Sequence, residues 1–335
     1  MIKVVVAITT YNLEKYIAQA LDSVLNQITS FEYQIVVADD ASTDKTCEIL
    51  ETYKQKYGDK IKVLYAEKNM GSLANSNRIF DNLQCEYFTF LDGDDYWQTN
   101  DRIQKQVEFL DAHPHYSMCA GNTRYLIGDK PGQMLLKSAQ LNKTYQFADY
   151  VSDRMPFFHT SSIMVRNSIF VNGLPDCFKN RVGTYEECAL RGEDFRRLIH
   201  LQTGPLYAMD ELLSVYRIHN KGIWQGSSIL RKALETTIGF HFYSTYFDET
   251  YSEVFNQKFQ YSYLDLMTIL EHDYGLTTKL SLPEKDAWLL AEIVKSCNNE
   301  MQVANEKWGK SILQKKFKHK FLNYFKRKKL RRITR

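Results

Sequence analysis

The 335-residue chain is 44% hydrophobic and 25% charged, an ordinary composition for a folded protein. That excludes a mostly disordered chain and a collagen-like one, and the length suits one large α/β unit with an appendage. Formal net charge is only +3, but 13 Lys/Arg and no acid lie between Lys307 and Arg335, leaving 30 basic against 40 acidic residues in 1–306. An acidic body and a basic tail therefore need separate accounts.

The first 125 residues alternate strand and helix. Lys3–Thr9 is a β-branched run, as a buried parallel strand should be. Leu13, Ile17, Ala20, Leu21, Val24 and Leu25 then recur at helical spacing. Tyr33–Ala38 reads as the second strand. Ser42 or Thr43 can cap the next helix, with Asp44 in its first turn and Leu50, Tyr53 and Tyr57 on its apolar face. A third strand is expected over Ile61–Ala66, a helix over 72–83, a fourth strand over Tyr87–Leu91 and a helix over 99–112. Repeated units of this size predict a Rossmann-like, mostly parallel sheet with helices on both faces and ligands at the carboxyl ends of the strands. Residues 126–225 are less regular, with Pro131, Pro156, Pro175 and Pro205. From 226 the pattern is helical, with Tyr263, Leu266, Met267 and Leu270 on one face and Leu290, Ile293, Val294 and Cys297 on another.

Three further bounds concern surroundings. Cys47, Cys85, Cys119, Cys177, Cys188 and Cys297 form no close pair, so reduced thiols in a cytoplasmic protein are expected. Met1-Ile2-Lys3 leads straight into a strand without a signal-peptide pattern, and no apolar run approaches a membrane span. Asn142-Lys143-Thr144 then matches a glycosylation acceptor by chance.

Chemistry-bearing residues collect at the expected strand ends. The first strand runs into Thr9-Thr10-Tyr11-Asn12, the second into Asp39-Asp40, the fourth into Asp92-Gly93-Asp94-Asp95. Asp at a strand end commonly just makes a turn, and for Asp39-Asp40 alone that is the better account. Three carboxylates within four residues are different: their repulsion calls for a cation. All-oxygen ligation suits Mg²⁺ or Mn²⁺, and Mg²⁺ fills its shell with water and substrate phosphate. Glycine-rich phosphate loops are missing, which counts against dinucleotide oxidoreductases and P-loop enzymes.

In order and spacing, six segments of residues 1–220 resemble family 2 glycosyltransferases of the GT-A fold, of the kind that builds bacterial surface polysaccharides. They are Ile8-Thr9-Thr10-Tyr11-Asn12, Val37–Asp44, Asn69-Met70-Gly71 with Asn77, Leu91–Asp95, Gly192-Glu193-Asp194 and Tyr216-Arg217-Ile218-His219. Three positions depart from the usual pattern: Thr10 where Pro is common, Ala41 where Gly is, and Ser76 where an Arg often precedes the Asn. Either Lys68 or Arg78 is left as the basic residue facing the donor.

The resemblance implies a division of labour. Residues 1–125 would bind a nucleotide-sugar donor, with UDP-sugar favoured. Residues 126–225 would hold the acceptor and the catalytic base, 226–306 would be a helical extension, and 307–335 a basic tail. Thr9, Tyr11, Asp39 and Asp40 would hold the base and ribose, with Asp40 favoured to accept from a uracil N–H, and Asn12 would also bind the nucleotide-sugar. Lys68, Asn69, Gly71, Asn77, Arg78, Asp92 and Gly93 would line the donor. Asp94 with Asp92, the DXD motif, and His219 would hold Mn²⁺ or Mg²⁺. Glu193-Asp194 by itself suggests only acids stabilising a helix start; the resemblance makes Asp194 the general base of an inverting transfer, with Glu193 orienting. Arg217 could pair with phosphate, Trp224 could stack on a sugar, and 217–228 could form a lid. A nucleotidyltransferase and a non-catalytic glycan-binding protein are the alternatives.

Between Phe240 and Tyr263 there are ten Phe/Tyr, with Tyr243, Phe247, Tyr251, Phe255, Phe259 and Tyr263 at every fourth position. A helix packed on the body is expected; a homodimer contact and docking of a lipid-linked acceptor stay open. The tail interleaves Leu313, Phe317, Phe321, Phe325 and Leu330 with Lys/Arg, which suits an amphipathic helix on the anionic inner face of a membrane. Nucleic acid ranks last, because the body is acidic and carries no such motif.

Overall fold

The computed structural model describes residues 2–81, 83–219, 222, 226–274 and 282–296. Trp224, Cys297 and the 307–335 tail lie outside the described residues. The chain divides into two compact units, 1–262 and 263–335.

In the first unit the elements run β1 (Ile2–Thr10), α1 (Ile17–Leu25), β2 (Tyr33–Asp39), α2 (Thr46–Tyr57), β3 (Ile61–Tyr65), α3 (Ser72–Phe80), β4 (Cys85–Asp92), β5 (Tyr96–Trp97) and α4 (Arg102–Ala112). There follow β6 (Met118–Ile127), β7 (Lys130–Met134), β8 (Lys143–Tyr145), α5 (Phe147–Val151), β9 (Ile163–Arg166), α6 (Asp176–Lys179), α7 (Glu187–Arg191), α8 (Glu193–Leu201), β10 (Leu206–Ile218), α9 (Ile229–Tyr246) and α10 (Glu249–Tyr274), whose last turns enter the second unit. All strands join one sheet in the order β3-β2-β1-β4-β9-β6-β10-β5, with β7 on β6 and β8 on β10. The first four strands pair in parallel, as the β-α alternation predicts, and β10 is parallel to β6. β9 is antiparallel to both β4 and β6 and joins the two parallel groups.

β1 shows why its sequence is apolar throughout. Val4, Val6 and Ile8 pack with Ile17, Leu21, Val24, Leu50 and Ile103 on one face. Val5 and Ala7 pack with Leu73, Ile79, Phe80 and Phe88 on the other. Both faces are buried, so alternation disappears.

Two expectations need correction. α2 begins at Thr46, not at Ser42 or Thr43. Those side chains serve a cross-loop lock: Asn12 N–H donates to Ser42 Oγ (2.9 Å), Thr43 N–H donates to Asn12 Oδ1 (2.8 Å), and Asp44 accepts from Glu14 N–H (3.1 Å) and Thr46 Oγ1 (2.5 Å). Within the segment read as less regular lies the longest strand, β10, whose pairing slips at Asp210–Leu213, between Ala208/Leu212 and Leu212/Ser214. That bulge hides its alternation.

The expected aromatic helix is two helices, broken at Phe247-Asp248. Its ladder is core: Phe247 lies 5.3 Å from Phe255 and 5.2 Å from Phe147, and Tyr243 stacks on Phe195 at 6.0 Å. In the second unit Leu266, Leu270, Leu289 and Ile293 are buried. Among the described residues no helix is long and apolar enough to cross a membrane.

Candidate active site

Register brings the strand ends together. Thr9 pairs with both Ala38 and Asp92, and Thr10 with Asp39, so the β1, β2 and β4 ends share one rim. Gly93 sits against it, with its N–H on the Thr9 carbonyl (3.2 Å). A side chain there would meet Leu13 at 2.9 Å and the Thr9 oxygen at 3.0 Å, so the turn requires glycine.

Most polar residues expected around the base organise this rim. Asp39 accepts from Ser42 N–H (2.9 Å) and Ser42 Oγ (2.5 Å). Asp40 accepts from Met70 N–H (2.7 Å) and Gly71 N–H (2.9 Å), holding the 69–71 loop, and Asn69 donates to its carbonyl (3.4 Å). Arg78 donates to the Asp39 carbonyl (3.2 Å) and the Tyr65 carbonyl (2.7 Å), so it ties β2 to β3. Lys68 is exposed, as is Tyr11, and Asn77 is buried with Nδ2 on the Phe178 carbonyl (3.3 Å).

The 92–95 turn joins β4 to the end of β10. Asp95 is buried; its Oδ1 accepts from Arg217 N–H (2.9 Å) and its Oδ2 from Ser161 Oγ (3.0 Å). Arg217 Nε donates to the Asp94 carbonyl (2.9 Å) and Nη2 to Gln19 Oε1 (2.7 Å). His219 Nε2 lies 2.8 Å from Asp94 Oδ2, and its ring rests 4.9 Å from Tyr16. Arg217, expected at phosphate, is thus tied to protein groups.

α8 supplies the other wall. Glu193 and Asp194 occupy its first turn. Asp194 is paired with Arg197, which also donates to the Phe158 carbonyl (3.4 Å), while the Asp194 side chain stays 52% exposed and within reach of an incoming group. The charges of the walls are felt mutually. Burial first, then Asp94 and Glu193, push the Asp92 carboxyl up to about 7, opposed by Arg196. Partial desolvation of the half-exposed Asp194 carboxyl and the charge of Glu193 also raise it, opposed by Arg197. Asp95 is raised well above the usual range by burial, Asp94 and Asp92.

The profile of glycosyl transferase family 2 matches residues 5–173, half of the chain. The chain belongs to that family. This glycosyltransferase is 26% identical over 290 residues to the uncharacterized protein Rv1520 of Mycobacterium tuberculosis, covering 86% of this chain and 74% of that one. It is 35% identical over 115 residues to the poly(ribitol-phosphate) β-N-acetylglucosaminyltransferase TarS of Staphylococcus aureus, covering 34% of this chain and 20% of TarS. A TarS structure with UDP-GlcNAc superimposes with a TM-score of 0.58 at 17% identity over 88% of this chain and 81% of that one. The mannosyltransferase PcManGT of Pyrobaculum calidifontis, in complex with GDP-Man and Mn²⁺, gives 0.50 at 14% identity over 88% and 80%. The fold is therefore GT-A.

The glycosyltransferase has residues that fit a divalent cation. Asp92, Asp95 and His159 have ligand atoms within 4.8 Å of one another. Two of these are already engaged: Asp95 as above, and His159, whose Nδ1 accepts from Ser161 N–H (3.3 Å), so that Nε2–H faces Asp95 at 3.6 Å. Burial lowers His159 to about 4, so it is neutral. Asp94 and His219 form a second pair beside this group, with His219 Nε2 2.8 Å from Asp94 Oδ2 and both side chains partly exposed. Sequence reasoning missed Asp95 as a site residue, along with His159, Ser161, Arg196 and Arg197. Asp95 was visible as the fourth residue of its run; His159 and Ser161 come from the irregular stretch, where no pattern marks them.

A carboxyl raised in the fold stabilises it below the unfolded pKa, about 4, and that contribution is lost as pH rises toward 7. For Asp92, the metal-free Tm difference between wild type and Asp92→Asn should therefore shift in favour of the variant from pH 5 to pH 8. Added Mn²⁺ should raise the wild-type Tm more at pH 8 than at pH 5. Differential scanning fluorimetry checks both; a pH-independent difference would contradict the assignment.

Proposed function

We propose that this glycosyltransferase moves a sugar, with inversion, from a nucleotide-diphosphate sugar to a hydroxyl of a glycan or lipid-linked glycan, and that UDP-sugar is the donor. The observation that carries this is the meeting of the acidic β4 turn with the first turn of α8: Arg196 of α8 lies 4.8 Å over the Phe90 ring of β4, and the Glu193 charge acts on both Asp92 and the half-exposed Asp194. Asp92, Asp94 and His219 would hold Mn²⁺ or Mg²⁺, which when bound neutralises the departing diphosphate. Thr9, Tyr11, Asn12, Asp39 and Asp40 would receive the base and ribose; the exposed Lys68 is better free to meet phosphate than Arg78.

Asp194 does the proton chemistry. Arg197 fixes one carboxylate oxygen. The carboxylate removes the acceptor hydroxyl proton as the new C–O bond forms at the anomeric carbon and the bond to the diphosphate breaks. One base suffices, since inversion needs no covalent intermediate. Glu193 keeps negative charge beside it, which raises Asp194 and strengthens it as a base.

Asp194→Asn should lower kcat by about 10²- to 10⁴-fold with little change in donor KM. The acid limb of the wild-type kcat profile should lie above the ordinary carboxylate range, because Asp194 is raised. Arg197→Gln removes the cation that opposes the rise and should move that limb to still higher pH. Full activity in Asp194→Asn, or an unmoved limb in Arg197→Gln, would exclude the assigned base.

The 307–335 tail, with 13 basic residues and interleaved Leu and Phe, is proposed to hold the enzyme peripherally on an anionic membrane at the cytoplasmic face, where lipid-linked acceptors would be met. A chain ending at Glu306 should no longer sediment with anionic liposomes, and unchanged sedimentation would rule the anchor out.

A further inference from the structure

Arg196, two residues after Asp194, is only 8% exposed. Its Nε and Nη1 are buried without a hydrogen-bond partner among the described residues. The guanidinium instead lies over rings, 4.8 Å from the Phe90 centroid and 5.6 Å from that of Phe80. The opposite charges acting on it are Glu193 and Asp92, one from each wall of the site. Two other buried arginines each leave one nitrogen unpaired among the described residues, Arg102 Nη1 and Arg197 Nε, but their guanidinium groups are otherwise bonded: Arg102 donates to Gln106 Oε1 (2.9 Å) and Thr89 Oγ1 (2.7 Å), and Arg197 to Asp194 and the Phe158 carbonyl. Asn77, one turn before Phe80 on α3, likewise has a buried Oδ1 without a partner among the described residues.

A buried guanidinium without hydrogen bonds destabilises the free protein, and a ligand that supplies acceptors relieves that cost. In an inverting transfer the sugar must lie between the leaving diphosphate and the base. Arg196 sits on the helix that carries Asp194 and acts electrostatically on Asp92. We propose that Arg196 is a donor-sugar-binding residue, whose N–H groups donate to hydroxyl or acetamido oxygens of the transferred hexosyl group while Asp92 accepts from a hydroxyl of the same sugar. A neutral sugar meets both needs, because its hydroxyls donate as well as accept. An anionic sugar would be repelled by Asp92 and Glu193. The inference rests on the glycosyl-transfer reading and adds to it a residue that recognises the sugar.

Arg196→Met keeps an apolar stem against Phe80 and Phe90 and removes the charge. Calorimetry with Mn²⁺ would compare UDP with UDP-glucose, UDP-galactose and UDP-GlcNAc. The expected result has three parts: an equal or higher Tm for the variant, unchanged UDP affinity, and about 10- to 100-fold weaker binding of the nucleotide-sugar that wild type binds best. Arg196→Lys keeps a charge but loses the planar fork, and should also weaken the nucleotide-sugar and spare UDP. Equal weakening of UDP and nucleotide-sugar, no weakening of either, or a clearly lower Tm in Arg196→Met would overturn the inference while leaving the transfer reading intact. A wild-type chain that binds none of the three nucleotide-sugars would overturn both.

Discussion

Asp95 is the carboxylate on which the active-site geometry depends. Its side chain has no solvent exposure, so every electrostatic need must be met inside the protein. The Arg217 N–H and the Ser161 hydroxyl meet part of it, while burial and the charges of Asp94 and Asp92 still raise the carboxyl. One partner lies at the end of β10 and the other in the turn before β9, so a single buried group ties the β4 turn to both. Trp97 Nε1 donates to the Ser161 carbonyl (3.0 Å), and Ser161 Oγ lies 3.3 Å from the Asp92 N–H, which closes the arrangement from below. With the backbone fixed, Asp94 and His219 meet without either needing to search.

The same turn concentrates negative charge. Asp92, Asp94 and Asp95 follow each other within four residues, and the charge of Glu193 reaches Asp92 from α8. Burial raises several of these carboxyls because the ionised form loses hydration and gains like-charged neighbours. Two arginines of α8 answer in different ways. Arg197 pairs with Asp194 directly, and Arg196 acts on Asp92 and Glu193 with its Nε and Nη1 unpaired among the described residues. The protein alone leaves the site acidic, which suits a cation and its diphosphate better than an empty pocket.

What could be read from the sequence was what has a local cause. β1 announced itself because both faces are buried, and the strand-end acids because they stand next to strands. The Glu193-Asp194 pair was visible only through the family pattern, since its nearness to Asp92 is created by the chain returning through α8. Arg196 and Arg197 look like surface residues of an amphipathic helix, but both are buried, because α8 is covered on nearly all sides. Ser42 and Asp44 resemble a helix cap and are instead partners of the β1 loop, a contact made across about thirty residues of sequence. Long-range pairing of this kind has no local signature. The acid-rich body and basic tail were plain in composition; the body's charge now has a place at the rim and α8.

The most direct measurement is the anomeric configuration of the product, read from the proton NMR coupling of the transferred sugar with a UDP-α-linked donor. One-step displacement with Asp194 as the single base predicts a β-linked product. An α-linked product would contradict the account, because retention requires chemistry that these residues are not assigned to perform.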